Sequence, residues 1–149
     1  MADNTIRFSN IIKYLSVGVF LISIACPCFD TEKEPGDHWE GMAILLSGFF
    51  GFFSSLTGLV WLANPALWFS WGFVIKKPNV SLILSLIAVA IGFSFLLCTD
   101  IMTDEGSSNF SLITRYRTGY WLWIASMLTM LLGNLYLKFS NTNSMDRSF

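Results

Sequence analysis

The longest uncharged stretch of the chain runs from Gly41 to Ile75 and contains no Asp, Glu, Lys, Arg or His. A helix needs about 20 mainly apolar residues to cross the hydrocarbon core of a bilayer. The stretch is therefore too long for one crossing and too short for two crossings joined by a turn. The charges of the chain lie in short segments between apolar runs, whereas a soluble fold needs polar residues on every helix. This pattern predicts an integral membrane protein.

The composition agrees with a lipid environment. The chain has 149 residues, of which 54% are hydrophobic and only 13% are charged, against about 25% charged in an average soluble domain. We predict one all-α membrane domain over residues 1–149, an integral four-helix bundle with an interfacial or kinked segment after the second helix. The predicted spans are residues 11–29, 41–62, 80–98 and 118–138, with outer loops at 30–40 and 99–117.

The first span depends on how Lys13 is accommodated. The apolar run from Tyr14 to Phe29 reaches the required length only if Ile11 and Ile12 join it, so we expect Lys13 to extend its ammonium back to the headgroups. The alternative is a cleaved signal peptide, because basic residues precede a short apolar stretch; we favour retention of the helix. No charged residue is expected deep in any span, which disfavours a pore lining.

The segment 65–75 is too short to cross the membrane again. Pro65 cannot donate a backbone hydrogen bond and disfavours helix at Asn64, so we predict a bend there. The segment then runs along the inner interface, or else it continues the second span as one long kinked helix. Indole rings and lysines favour that interface. The predicted interface anchors are Trp61, Trp68, Trp71, Lys76 and Lys77.

Orientation follows from the basic residues, because Lys and Arg resist translocation. The outer loops carry Lys33, Arg115 and Arg117 together with most of the acidic residues. The positive-inside rule therefore places both termini in the cytoplasm. The basic residues on the inner side are Arg7, Lys13, Lys76, Lys77, Lys138 and Arg147.

Small side chains recur at helical spacing in two spans. Such stripes allow a neighbouring backbone to approach closely in lipid, so we predict that they form the packing seam of the bundle. Asn134 is expected to add a structural hydrogen bond between helices. The predicted packing residues are Ala43, Ser47, Gly51 and Ser55 in the second span, and Ala125, Thr129 and Gly133 in the fourth.

The outer loops contain the candidate binding site. Arg115 or Arg117 is expected to pair with Asp100 or Asp104, beside an aromatic belt. Arginine with aromatic rings suits both carboxylate and phosphate, so a peptide or a lipid headgroup is the alternative partner of these residues. The candidate outer-face residues are Asp100, Asp104, Arg115, Arg117, Tyr120 and Trp121.

Motifs for catalysis are missing from the sequence. It has no nucleophile elbow, phosphate loop or HExxH pair, and His38 is the single histidine. We predict no enzymatic activity and no metal or cofactor, and the scattered basic residues give no support for nucleic-acid binding. Cys26, Cys28 and Cys98 are expected to be buried thiols, with a disulfide to Cys98 as the alternative.

Three features together resemble a family of small bacterial inner-membrane proteins with four predicted spans. These are the acidic loop after the first span, WLANP at Trp61–Pro65 and GYWLW at Gly119–Trp123. The resemblance implies a multi-pass protein of the bacterial inner membrane and carries no activity.

Two classes of function stay open. The first is a non-enzymatic protein that binds another protein, in immunity or defence or as a subunit of a membrane complex. The second is a small oligomeric transporter or channel. The expected partners are the lipid bilayer and either a second protein or further copies of this chain.

A reporter fused after Phe149 tests the predicted orientation. The charge asymmetry between the two sides predicts that this fusion is active only in the cytoplasm. Compartment-specific reporters, one fluorescent in the cytoplasm and one phosphatase active in the periplasm, measure the outcome. Periplasmic activity would overturn the orientation and the outward placement of both acidic loops.

Overall fold

A computed structural model of the chain describes residues 2–32, 38–51, 57–102 and 110–145. These residues are mostly helical. A 3-10 helix, Thr57–Leu62, leads into the third α-helix, and a second one, Phe95–Leu97, extends the fourth. The α-helices are α1 (Ala2–Ile24), α2 (Gly41–Gly51), α3 (Ala63–Phe73), α4 (Pro78–Ser94) and α5 (Thr118–Met145).

Three helices in the described part of the chain are long and apolar enough to cross a membrane. They are Thr5–Ile24 in α1, Pro78–Leu97 in α4 with its 3-10 extension, and Thr118–Ser140 in α5, of 20, 20 and 23 residues. At 1.5 Å per residue, each matches a hydrocarbon core of about 30 Å. This result agrees with a membrane protein.

The two predicted outer loops contain a β-sheet, so the expectation of an all-α fold is wrong there. Strands β1 (Pro27–Thr31) and β2 (His38–Glu40) connect α1 to α2, while β3 (Asp100–Met102) and β4 (Phe110–Tyr116) connect α4 to α5. The strands are antiparallel in the order β2-β1-β4-β3. Backbone groups need hydrogen-bond partners, and both connections start and end at the same end of the helices, where their strands pair.

The long helices pack through polar as well as apolar contacts. Along the interface of α1 with α5, Ser16 Oγ donates to the carbonyl of Ser126 over 2.7 Å. One apolar cluster fills the space between α1, α3, α4 and α5, and its fully buried members include Leu67, Met127 and Met130. A second cluster lies under the sheet and contains Phe29, Phe95, Ile101, Tyr120 and Ile124.

The stretch Gly41–Ile75 differs from its prediction. The described helix α2 ends at Gly51, and the chain continues from Thr57 as a 3-10 helix instead of one span over 41–62. The indole nitrogen of Trp61 donates to the carbonyl of Leu45 over 2.9 Å, which joins the 3-10 helix to the first half of α2. Trp61 thus lies beside Leu45, near the start of α2, and away from the predicted inner interface.

The predicted interfacial segment 65–75 lies mostly within α3, which packs into the bundle. Leu67 and Ser70 are fully buried. Pro65 is the third residue of α3, where a helix does not require its N–H. The bend expected at Asn64 is therefore wrong: the break falls before Ala63, where the 3-10 helix changes to α-helix.

The predicted packing residues fall into two groups. On α2, Ala43 and Ser47 are exposed, while Gly48 lies against Trp61. On α5, Ala125 and Thr129 are half-buried, and the Thr129 hydroxyl donates to the Ala125 carbonyl over 2.8 Å. Ser55 lies outside the described residues, and only the backbone of Gly51 is described.

Gly133 has the closest helix contact of the predicted set. A Cβ at this position would lie 2.6 Å from Cδ1 and 2.8 Å from Cγ1 of Ile12. Both distances are shorter than a van der Waals contact between carbon atoms. The packing of α1 against α5 therefore depends on the missing side chain at Gly133.

Gly133→Ala should destabilise the protein by about 1–3 kcal/mol, because the added methyl group overpacks the interface. Thermal or denaturant unfolding in detergent measures the loss. Ile12→Ala in the same chain should recover part of it through the pairwise coupling. Gly18→Ala is the matched control, since its Cβ meets nothing within 4 Å; an equal loss in the control would contradict the packing explanation.

Candidate functional site

The candidate site is the sheet that covers one end of the helices. Aromatic rings fill its inner side: Phe29 stacks on Trp39 with ring centroids 5.9 Å apart, and Tyr116 lies 4.8 Å from Tyr120. The hydroxyl of Tyr116 donates to the carbonyl of Phe95 over 3.1 Å, at the end of α4. The sheet and the helix ends thus form one packed body.

Asp30 and Arg117 join the segment between α1 and α2 to the segment between α4 and α5. Nε of Arg117 donates to Oδ1 of Asp30 over 3.0 Å, and Nη2 lies 2.7 Å from Oδ2, so the two groups form a bidentate pair. The backbone N–H of Arg117 also donates to the carbonyl of Cys28 over 2.7 Å. The hydrogen bond that Arg117 donates to Asp30 raises the pKa of Arg117 above its ordinary value. The pair holds β1 against the start of α5.

This pairing differs from the predicted one. Arg117 pairs with Asp30 of β1, whereas the sequence suggested Asp100 or Asp104. Among the described residues, Asp100 has its backbone in β3 opposite Leu112, and Asp104 lies outside them. Arg115 is exposed and stands opposite Asp30 in the ladder. Asp30 had no distinguishing signal in the sequence, because both loops contain several acidic residues.

The two aromatic candidates point in different directions. Tyr120 is buried, and its hydroxyl donates to the Gly92 carbonyl over 3.1 Å. Trp121 is exposed, and its ring contacts Tyr120 at 5.2 Å. The structure therefore brings Arg117 and Tyr120 to the same end of α5. The candidates that it describes do not line a single pocket.

Three buried polar atoms of the sheet have no hydrogen-bond partner. They are Oγ1 of Thr31, Nε1 of Trp39 and Oγ of Ser111. Side chains alternate along a strand, so Thr31 shares the inner face of β1 with Phe29, and Ser111 shares the face of β4 with Ile113. An unpaired buried polar group is unfavourable. Two hydroxyls and one indole N–H are thus buried within the sheet layer without a hydrogen-bond partner.

The thiol of Cys28, a residue of β1, is partly buried. Burial, together with the neighbouring Cys26, raises the pKa of Cys28 to about 12, so Cys28 is a neutral thiol at physiological pH. Cys26 and Cys28 are free thiols and so form no disulfide with Cys98. A metal site is not indicated either: residues 2–32, 38–51, 57–102 and 110–145 contain no cluster of three His, Cys, Asp or Glu side chains.

A second polar region, which we call the serine–asparagine cluster, lies inside the helices and consists of Ser70, Ser81, Ser85 and Asn134. Ser70 and Ser81 each donate a side-chain hydroxyl to the other's backbone carbonyl over 2.9 Å. Nδ2 of Asn134 donates to Ser81 Oγ over 3.0 Å and to Ser85 Oγ over 3.2 Å. The cluster joins α3, α4 and α5.

Indole groups make two further connections between helices. Nε1 of Trp123 donates to Oδ1 of Asn64 over 2.8 Å, and Nε1 of Trp71 donates to Ser16 Oγ over 2.9 Å. Of the predicted anchors, Trp71 is thus bonded inside the bundle. Trp68 is partly exposed and lies between Phe20 and Trp61. The remaining anchors, Lys76 and Lys77, are exposed just after α3.

The chain matches no protein-family model, and neither curated proteins nor solved structures show significant similarity to it. Any statement about function therefore rests on the geometry above.

Asn134→Ala should lower the free energy of unfolding by about 0.6–2 kcal/mol, the range of hydrogen bonds between membrane helices. The loss follows because Ser81 and Ser85 lose the amide that donates to both of them. Unfolding in detergent gives the value. Ser94→Ala is the matched control, since its hydroxyl bonds only within α4, to the Ile91 carbonyl. Equal stability of the two variants would mean that Asn134 does not connect the helices.

Proposed function

We propose that this chain is a multi-pass protein of the bacterial inner membrane, without enzymatic activity, that binds a protein partner at its outer sheet. A role in immunity or defence, or as a subunit of a membrane complex, is the function that follows. The proposal combines the apolar helices, the charge asymmetry and the distribution of unpaired polar groups.

The bundle in this proposal consists of α1, α3, α4 and α5, with α3 and its 3-10 helix as the second crossing. Asn64, at the start of α3, is bonded to Trp123, five residues into α5. Ser70, further along α3, is bonded to Ser81, near the start of α4. The segment thus passes from the sheet end toward the opposite end. Four crossings place both termini on one side, in the cytoplasm by the positive-inside rule.

One observation carries the binding role. Within the described residues, the buried side-chain polar atoms that lack a partner are all in the sheet, at Thr31, Trp39 and Ser111. The buried serines and asparagines of the helices donate to or accept from one another and the backbone. A transport path needs polar groups that are free to contact a solute. Unused hydrogen-bonding capacity is instead buried within the sheet, where a partner reaches it only if the strands rearrange, and Leu112 is an exposed residue of β4 that such a partner meets first.

The second candidate, a small oligomeric transporter or channel, is favoured by α2. Ala43 and Ser47 are exposed at helical spacing on this helix, and small residues are typical of helix-helix contacts in lipid. In this case copies of the chain would associate through α2. The interface role of Trp68, Lys76 and Lys77 belongs to both candidates, since tryptophans and lysines anchor a bundle at the membrane surface.

Purified protein in liposomes separates the two candidates. We expect ion flux and solute uptake equal to those of protein-free vesicles, measured with ion-sensitive dyes, because the serines and asparagines buried between the helices are paired. Flux above this background would support the transporter and contradict the binding role.

A photo-crosslinking amino acid at the exposed position Leu112 of β4 tests the sheet in living cells. We expect a discrete adduct with another protein, and Asp30→Asn should reduce it by weakening the bond to Arg117. Glu32→Gln is the matched control, since this exposed carboxylate lies just after β1. A crosslinker at Leu132, exposed on α5, should give no such adduct. Equal adducts at Leu112 and Leu132 would argue against a specific site on the sheet.

A further inference from the structure

Lys13 lies in the middle of the apolar length of α1. The helix α1 ends at Ile24, where the chain enters the sheet, so Lys13 is eleven residues, or about 16 Å, from that end. A hydrocarbon core of about 30 Å that begins at Ile24 extends to about the level of Thr5. Relative to the expected span over residues 11–29, this end of α1 moves Lys13 toward the middle of the core.

Two contacts between α1 and α5 place Lys13 at the same depth. Ile12, next to Lys13, faces Gly133, and Ser16 is bonded to Ser126. Both α5 residues lie inside the apolar segment Thr118–Ser140. Lys13 is thus level with the interior of a second candidate span. An ionisable residue at this depth is costly and is usually functional.

The surface around Lys13 is apolar and open. Ile11, Tyr14 and Leu15 are 55%, 67% and 57% exposed, and Nζ of Lys13 lies 5.7 Å from the ring centroid of Tyr14. A cation near an aromatic face gains more when it is removed from water. The ammonium of Lys13 therefore lies on the side of α1 where Ile11, Tyr14 and Leu15 are exposed.

Within residues 2–32, 38–51, 57–102 and 110–145, no carboxylate lies at this level. No Asp or Glu occurs between Glu40 and Asp100, or between Glu105 and Asp146. Within α1 the one acidic residue is Asp3, about 15 Å from Lys13 along the helix axis. A second copy of this chain would also be unable to supply a carboxylate at mid-bilayer depth.

We propose that the face of α1 around Lys13 docks a membrane helix of another protein, with an Asp or Glu at the middle of that helix as the partner of Lys13. The inference rests on the proposed membrane span and names the chemistry of a partner within the bilayer. Charge complementarity selects this occupant over a second copy. A phospholipid phosphate is less suited, because it lies beyond the level of Thr5, further than the four-carbon stem of lysine reaches.

The test uses full-length protein in phosphatidylcholine vesicles at pH 8 and synthetic Leu-Ala transmembrane peptides with either Glu or Gln at the centre. Energy transfer between a labelled peptide and the labelled protein measures binding. We expect the Glu peptide to bind about three- to twentyfold more tightly than the Gln peptide. Lys13→Leu should abolish this difference and Lys13→Arg should retain it. Lys138→Leu, which removes an exposed lysine of α5, is the matched control and should retain the difference.

Equal binding of both peptides to the wild-type protein overturns the inference, as does a preference for Glu that survives Lys13→Leu. A spin-labelled phosphatidylglycerol added to the vesicles tests the lipid alternative: Lys13-dependent lipid enrichment without Lys13-dependent peptide binding also overturns it. Failure of the proposed membrane span is distinguishable, because the wild-type protein would then not insert into the vesicles at all.

Discussion

The structure depends on one constraint: in lipid, a buried polar group must find its partner within the protein. Its helices carry buried serines and asparagines, and these groups pair across helices. Ser70 with Ser81 joins α3 to α4, and Asn134 extends this connection to α5. Since lipid supplies little hydrophobic force between helices, such bonds and close packing hold them together. They also make α3 part of the bundle, although its sequence resembles a surface anchor.

The same constraint has a different solution at the sheet end. Here the chain leaves the helices, and backbone groups pair between two connections that are far apart in sequence. Asp30 and Arg117 join them through a bidentate ion pair. In the same sheet the hydroxyls of Thr31 and Ser111 are buried without hydrogen-bond partners. The polar side chains buried between the helices are therefore more completely paired than those buried in the sheet.

Several elements were predictable because their signal is local. Long apolar runs identified the helices that are able to span a membrane, and Gly133 was recognisable as a packing position from its spacing. The error at Trp61–Pro65 has a physical cause. The sequence shows aromatic rings beside a proline, which is typical of a membrane interface, but the hydrogen bonds from Trp61 to Leu45 and from Trp123 to Asn64 place this segment inside the protein. The partner of Arg117 was also missed: the sequence suggested Asp100 or Asp104, which are nearer along the chain, whereas strand pairing brings Asp30 to it.

The sequence by itself determined that three helices are apolar enough to span a membrane, their approximate positions and the concentration of acidic residues in two connections, because hydropathy and charge act residue by residue. Only the tertiary structure decided that those connections form one sheet, that α3 is a packed helix and that Asp30 is the partner of Arg117. It also decided where α1 ends, since this end is set by strand pairing at Pro27–Thr31 and not by hydropathy. Pairing between distant segments depends on geometry, which a linear pattern does not contain.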